Sequence, residues 1–243
     1  MLPSFISTLI LSVAATTSSA QTFKEDFSKG LASDRWKVST WTAPRHSLIN
    51  AASFSASNVE VVNGVLRLKL TQTRNADGSI SSIGGELMSI KKFGYGTYTL
   101  VMKSSADKNN EAVSGSITGA GLYLSISETE IDIEMEGYWP RANLTQLATW
   151  VDETTVQKTL VAKDLPYKDF HTYKIVWAPA AIQFFVDESL IATHKNVVPK
   201  AAASFLLNHW GTNDSSWGGM ATPNVDRYVY IKSFTFTQLN LNK

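Results

Sequence analysis

Apolar and polar residues alternate with a period of two along most of the chain. The run Val65–Leu70 places three leucines on one side and two basic side chains on the other. The same alternation occurs in Tyr98–Lys103 and in Phe234–Thr237. Further strand-like runs occupy residues 173–177, 182–186, 190–194 and 205–210. Because successive side chains of a β-strand point to opposite faces, this pattern predicts many strands with one buried face.

Turn-forming residue pairs separate these runs, and no window after residue 20 shows a helical stripe. The pairs are Asn63-Gly64, Asp77-Gly78, Gly84-Gly85 and Asp187-Glu188. Residues 103–116 are polar and are expected to form a surface loop. Short strands at close spacing, without repeats or a low-complexity linker, predict one all-β, antiparallel β-sandwich domain over residues 21–243.

Residues 1–20 are expected to form a signal peptide. An apolar run over Phe5–Ala15 gives way to small residues, and Ser18 and Ala20 fit the small-x-small cleavage pattern, although the segment contains no Lys or Arg. The apolar run is too short to span a bilayer. We therefore expect a secreted, extracellular protein that starts near Gln21 and has no membrane anchor.

Charge and composition exclude several functions. The chain has 22 basic and 21 acidic residues, and this balance offers no basic excess to bind nucleic acid. It has no cysteine, which excludes a thiol nucleophile and cysteine-ligated zinc. The four histidines are scattered without metal-ligand spacing, so no metal site is predicted. The sequons at Asn143 and Asn213 would carry glycans only in a eukaryotic source.

The segment from Glu128 to Glu136 is the most informative part of the chain. Read as a strand, it places five carboxylates on one face and Ile131, Ile133 and Met135 on the other. Like charges this close repel one another, and no basic residue lies between them. A solvated outer strand could tolerate such a row, but the apolar partners favour a central, well-packed strand. The row is therefore expected to line a cleft.

Paired carboxyl groups are the chemistry of glycosidic bond hydrolysis. One carboxylate acts as nucleophile or base and a second carboxyl acts as acid, and retaining enzymes hold the two about 5–5.5 Å apart. Residues Glu130 and Glu134 would have Cα atoms about 13 Å apart on a flat strand. The interpretation therefore requires a twisted, concave sheet that brings the two side chains together. Asp132 between them could orient one Glu and raise the proton affinity of the other.

The motif Glu130-Ile131-Asp132-Ile133-Glu134 closely resembles the E-x-D-x-E strand of glycoside hydrolase family 16, in the form without an inserted residue that is typical of the licheninase and xyloglucan-transferase branches. Other segments resemble the family in the same order between Phe23 and Phe236. These segments are Gly84–Glu86, Phe93–Tyr98, Phe170–Trp177, Ile182–Asp187 and Leu207–Gly211. The resemblance implies a jelly-roll sandwich of the concanavalin A-like lectin/glucanase type, with a concave substrate cleft.

The resemblance also implies roles for seven side chains. Glu130 corresponds to the nucleophile, Asp132 to the assisting acid and Glu134 to the general acid/base. Four other residues are expected to bind substrate: Glu86, Trp150, Asn208 and Trp210. His209 has the opposite parity from Asn208 and Trp210, so it is expected on the other face of its strand.

Four positions depart from the family pattern. Met88 replaces an Arg, Glu128 replaces a Trp, Glu136 replaces an apolar residue and Val229 replaces an Asp that supplies a calcium ligand. We therefore expect no structural calcium there. The glucan linkage cannot be transferred from the family, because these positions affect the substrate subsites.

Three functions remain open on sequence grounds. The first is a retaining endo-acting β-glucan hydrolase, cleaving β-1,3-1,4 or β-1,3 linkages by double displacement without a cofactor. The second is a cell-wall polysaccharide transglycosylase that uses the same site. The third is a lectin-like module that binds carbohydrate without cleaving it. In each case the expected partner is a polysaccharide, and the protein is expected to be a monomer.

Overall fold

The computed structural model describes residues 21–42, 52–107, 109–125, 128–138, 144–162 and 169–241. The predicted signal peptide, residues 1–20, and the sequon at Asn143 lie outside these ranges. No helix in the described ranges has the length and apolar character needed to cross a membrane.

The described residues form sixteen strands and two short 3-10 helices, Ala56–Asn58 and Glu111–Val113. In chain order the strands are β1 (Thr22–Glu25), β2 (Trp36–Val38), β3 (Ala52–Phe54), β4 (Val59–Val62), β5 (Val65–Arg74), β6 (Ile80–Phe93), β7 (Gly96–Lys103), β8 (Ser116–Ser125), β9 (Thr129–Glu136), β10 (Leu144–Trp150), β11 (Val156–Ala162), β12 (His171–Ala178), β13 (Ala181–Val186), β14 (Ser189–His194), β15 (Ala203–Gly211) and β16 (Arg227–Gln238).

The strands form one continuous sheet that folds back on itself. Its hydrogen-bonded order is β11-β10-β9-β8-β15-β6-β5-β16-β7-β12-β13-β14. The long strand β6 joins the two layers, because its start pairs with β5 and the remainder with β15. The end strands β11 and β14 approach each other, and Thr159 Oγ1 lies 2.9 Å from His194 Nε2. Every described strand pair except β3–β6 is antiparallel, so the predicted antiparallel β-sandwich is confirmed.

The core lies between the two layers and follows the alternation seen in the sequence. The three leucines of β5 are fully buried, as are Ile131 and Met135 of β9. Aromatic rings fill the centre, where Phe205 and Phe234 stack with centroids 4.0 Å apart. Full burial of one such side chain stabilises the fold by roughly 2 kcal/mol, so the inward face of each strand is strongly specified.

Two predicted turns contain residues with left-handed backbone. Asn63 and Gly64 have positive φ angles, and so do Asp187 and Glu188. This geometry matches the right-handed twist of the strands that each turn connects. At the second turn, His171 Nδ1 lies 2.5 Å from Asp187 Oδ2, so this histidine is a structural hydrogen-bonding residue.

The predicted loop between β7 and β8 is confirmed, but it is not only a surface feature. Ser114 is buried, and its carbonyl oxygen accepts a hydrogen bond of 2.6 Å from the buried guanidinium of Arg227. Arg227 also donates to Gln72 Oε1 at 2.7 Å. These bonds join the loop to β5 and β16.

Glu136 anchors the segment of residues 212–221, which follows β15. Its side chain is buried, at 5% exposure, and its Oε2 accepts a 2.8 Å hydrogen bond from the backbone N–H of Gly218. Burial raises the pKa of Glu136 to about 7, although the Gly218 bond opposes the rise. In the same segment Trp217 packs against a small apolar cluster that includes Trp210.

The raised pKa of Glu136 makes stability depend on pH. The folded protein holds the proton more tightly than the unfolded chain, so this contribution is complete at low pH and is lost as pH rises through about 7. We expect Glu136→Gln to raise the melting temperature by a few degrees at about pH 8 and to change it little at about pH 4. Thermal unfolding at both pH values measures this difference.

Glu128→Gln is the matched control, because Glu128 is exposed and the same change there removes no buried charge. Its effect on the melting temperature should be small at both pH values. An effect of Glu136→Gln that is equal at about pH 4 and about pH 8 would contradict the assignment of a buried, titrating carboxyl.

Candidate active site

A cleft of about 630 Å³ lies on the outer face of the layer that contains β9. Strands β2, β3, β6, β8, β9 and β15 contribute residues to its wall. Six of the seven predicted site residues line it: Glu86, Glu130, Asp132, Glu134, Asn208 and Trp210. The structure therefore brings together residues that lie more than 120 positions apart in the sequence.

Three acids of β9 form the acid row of the cleft: Glu130, Asp132 and Glu134. Their side chains are half-buried, while Ile131 and Ile133 between them enter the core. The predicted division of the strand into an acidic face and a core face is confirmed for these residues.

The prediction that a row of five acids lines the cleft is wrong at both ends. Glu128 precedes the start of β9 and is exposed in the turn before the strand, where Ser125 Oγ donates a weak 3.5 Å hydrogen bond to it. Glu136 has the expected parity, but residues 212–221 cover it and Gly218 donates a hydrogen bond to it. The cleft therefore contains a row of three acids, and neither Glu128 nor Glu136 lines it.

Strand register places each acid in a row of neighbours that runs across the sheet. Cross-strand partners share a face, so each row describes one strip across the face of the sheet that carries the cleft. The Glu134 row runs Glu86, Asn208, Gly119, Glu134, Gln146, Leu160. The Asp132 row runs Lys37, Met88, Leu206, Gly121, Asp132, Ala148, Lys158. The Glu130 row includes Tyr123, Glu130, Trp150 and Val156.

Two glycines of β8 keep the floor beside the acid row open. A Cβ atom on Gly119 would lie 2.1 Å from Asn208 Oδ1, and one on Gly121 would lie 2.1 Å from the carbonyl oxygen of Ile131. Neither position can hold a side chain without movement of its neighbours. The glycines therefore allow β8, β9 and β15 to pack closely beneath the space that a substrate would occupy.

Burial and mutual repulsion give the three acids different affinities for protons. Burial raises the pKa of Asp132 well above its ordinary value, and the charges of Glu130 and Glu134 raise it further. Burial also raises the pKa of Glu130, but a hydrogen bond with Asp132 lowers it. The hydrogen bond between them therefore gives Asp132 the higher affinity for a proton, with Asp132 as donor and Glu130 as acceptor.

Glu134 is the acid whose proton can be exchanged near neutral pH. Burial raises its pKa to about 7, while a 2.9 Å hydrogen bond from Gln146 Nε2 to its Oε2 opposes the rise. A carboxyl of this kind is suited to proton transfer, because its pKa lies close to the working pH. The acid row thus offers an anionic carboxylate and a carboxylic acid on one strand face.

Glu86 is fixed by neighbours that sequence reasoning did not identify. Its Oε1 accepts hydrogen bonds from Ser39 Oγ at 2.6 Å and Trp41 Nε1 at 3.2 Å, and its Oε2 accepts one from Asn208 at 3.3 Å. Trp41 is half exposed and lines the cleft. No motif surrounds Ser39 and Trp41 in the sequence, and the tryptophan itself, in a polar segment, is the one signal that could have singled out this segment.

The two predicted tryptophans occupy different environments. Trp210 is mostly buried against Phe54 and Ile117 and presents its remaining surface to the cleft. Trp150 does not line the cavity itself. It lies beside Glu130 on the neighbouring strand, and the ammonium group of Lys158 is 4.8 Å from the centre of its ring.

His209 and Val229 lie inside the protein, away from the cleft. His209 is fully buried, burial lowers its pKa to about 3, and its Nδ1 lies 2.9 Å from the carbonyl oxygen of Ile117. The prediction that His209 lies on the opposite face of its strand from Asn208 and Trp210 is confirmed. Val229 is buried in the core, and its side chain has no oxygen that could bind calcium. Within the part of the chain that the structure describes, no group of three His, Asp or Glu side chains could hold a metal ion.

Comparison with known proteins identifies relatives of this chain. The Beta-glucanase of Acetivibrio thermocellus is 30% identical over 209 residues, which cover 83% of this chain and 59% of that protein. This chain therefore matches less than two thirds of that relative. The Beta-glucanase of Paenibacillus polymyxa is 30% identical over 186 residues, which cover 74% of this chain and 75% of that protein.

Solved structures with the same fold include the beta-glucanase of Bacillus licheniformis. It superposes with a TM-score of 0.76 at 22% identity, over 92% of this chain and 100% of that one. This likeness confirms the predicted jelly-roll fold. The family model described as glycosyl hydrolases family 16 matches residues 50–224, which is most of the chain. The chain belongs to glycosyl hydrolases family 16.

Proposed function

We propose that the protein is a secreted, retaining, endo-acting glycoside hydrolase that cleaves a β-glucan with β-1,3-1,4 or β-1,3 linkages. The observation that carries the proposal is the acid row, in which Glu130 accepts a hydrogen bond from Asp132 while burial raises the pKa of Glu134 to about 7. These are the two protonation states that double displacement needs, a nucleophilic carboxylate and a carboxylic acid.

The relatives support a β-glucan as substrate. Several carry the name Beta-glucanase, and a Rhizobium meliloti relative named Endo-1,3-1,4-beta-glycanase ExoK is 28% identical over 224 residues. The cleft agrees with a polymeric substrate, because its lining extends from Trp41 across Glu86 and Asn208 to the acid row. An aromatic side chain and polar groups along an open floor can bind successive sugar rings.

In the first step, the ionised Glu130 attacks the anomeric carbon and the bond to the leaving sugar breaks. Glu134 gives its proton to the departing oxygen, so the leaving sugar is released as an alcohol. Asp132 keeps its own proton and withdraws its hydrogen bond from the Glu130 oxygen that becomes esterified. In the second step, the ionised Glu134 removes a proton from water, the water attacks the anomeric carbon, and Glu130 leaves as a carboxylate.

Substitution of the proposed nucleophile tests this function. Glu130→Gln keeps the shape of the side chain but removes the anionic nucleophile, so we expect hydrolysis to fall by about a thousandfold or more. Release of reducing ends from mixed-linked β-glucan and from β-1,3-glucan measures the rate. Glu128→Gln is the control and should keep activity, because Glu128 lies outside the cleft.

The same assay separates the alternatives. A protein that redistributes chain length without releasing new reducing ends would be a transglycosylase that uses the same carboxylates. A protein that binds the glucans without changing their length would be a lectin-like module. Hydrolysis that survives in Glu130→Gln would contradict the assignment of the nucleophile.

We also propose that the protein is exported and that residues 1–20 are removed. The support is the apolar run over Phe5–Ala15, followed by small residues up to Ala20. Expression of the full chain in its source organism should release protein that begins at or near Gln21 into the medium, as N-terminal sequencing would show. Protein retained in cells with residues 1–20 intact would contradict secretion.

A further inference from the structure

Lys158 of β11 lies on the cleft side of the sheet, two strands away from Asp132. Register pairs Asp132 with Ala148 on β10, and Ala148 with Lys158 on β11. The side chain of Ala148 is only a methyl group, so the long side chain of Lys158 has room to lie across it toward the acids. The ring of Trp150, 4.8 Å from the Lys158 ammonium group, flanks the side chain and holds it on this face.

Few other charges face the acid row from the surrounding described strands. Glu86 on β6 accepts hydrogen bonds from Ser39, Trp41 and Asn208. On β8 the titratable side chain is the phenol of Tyr123, and the cleft face of β15 has no titratable group. On β9 itself, Glu136 is bonded to Gly218. The described cleft-side residues of β10 are uncharged. In the turn after β10, Asp152 accepts hydrogen bonds from the Thr154 hydroxyl and the Thr155 backbone N–H.

Two lysines stand at opposite ends of the Asp132 row, at very different distances. Lys37 on β2 is four strand spacings from Asp132, or about 19 Å, and Lys158 is two spacings away, or about 10 Å before its side chain extends. The Debye length in physiological salt is about 8 Å, so screening weakens the interaction of the acids with Lys37 far more than their interaction with Lys158.

On the basis of the proposed function, we infer that Lys158 is the counter-charge of the acid row, a positioning residue that sets the pH range in which Glu130 and Glu134 hold their catalytic protonation states. It contacts neither the anomeric carbon nor the leaving oxygen and acts through the carboxyls. In this arrangement Trp150 flanks the lysine side chain, and the small Ala148 leaves room for it.

The direction of the effect follows from the charges. Burial raises the pKa of Glu130, Asp132 and Glu134, and the positive charge of Lys158 opposes this rise in all three. Loss of that charge should raise the pKa of each acid. Activity falls at low pH because Glu130 becomes protonated, and it falls at high pH because Glu134 loses its proton. Both limbs of the pH profile should therefore move to higher pH.

The test compares Lys158→Met, which keeps the apolar stem, with Lys158→Arg, which keeps the charge. Carboxyl-carbon NMR follows the titration of the acid row directly, and the pH dependence of kcat/KM on mixed-linked β-glucan follows it in catalysis. We expect Lys158→Met to raise the midpoints of Glu130 and Glu134, and both kinetic limbs, by roughly half a pH unit. Lys158→Arg should leave them in place.

Two further controls use the same readouts. Lys37→Met removes the distant lysine of the same row and should leave the midpoints unmoved. Salt at about 1 M shortens the Debye length to about 3 Å and weakens the repulsion among the acids equally in both proteins, so the difference in midpoints between the unsubstituted protein and Lys158→Met should shrink.

The outcomes separate this inference from the proposed function. Midpoints that do not move in Lys158→Met, or that move equally in Lys158→Arg or Lys37→Met, would overturn the role of Lys158 even if the protein hydrolyses glucan. Midpoints that move as expected in a protein without glucan hydrolysis would refute the proposed function and leave the counter-charge assignment intact.

Discussion

The burial of three like-charged carboxyl groups on one face of one strand is the constraint on which the site depends. Water would keep Glu130, Asp132 and Glu134 ionised, whereas the half-buried cleft floor favours their neutral forms. Their mutual repulsion prevents all three from ionising together. The consequence is an unequal affinity for protons: the hydrogen bond between Asp132 and Glu130 raises the pKa of Asp132 and lowers that of Glu130, while burial raises the pKa of Glu134 to about 7.

The rest of the layer makes this arrangement possible. Ile131 and Ile133 hold the strand against the core, so the acids cannot turn away from the cleft. Gly119 and Gly121 remove side chains from the strand on one side of the row. On the other side, Gln146 donates a hydrogen bond to Glu134, and the next two positions on that face of β10 are the small Ala148 and the aromatic Trp150. The same alternation that builds the core therefore also builds the site.

Local periodicity predicted the strands, the core face of β9 and the central three acids, because each depends on residues close together in the sequence. It failed at Glu128 and Glu136, where the ends of the strand and the covering segment decide exposure. It also gave no sign of Ser39 and Trp41 beside Glu86, or of Lys158 beside Trp150. These contacts depend on strand register across the sheet, which the alternation of a single strand cannot reveal.

The central claim is that Glu130 and Glu134 act from one strand as nucleophile and acid/base in a double displacement. Proton NMR of the first product released from a β-glucan oligosaccharide, recorded before mutarotation, tests it most directly. Two successive displacements at the anomeric carbon predict a β-configured product. An α-configured first product would require direct attack by water, and it would contradict the assignment of Glu130 as nucleophile.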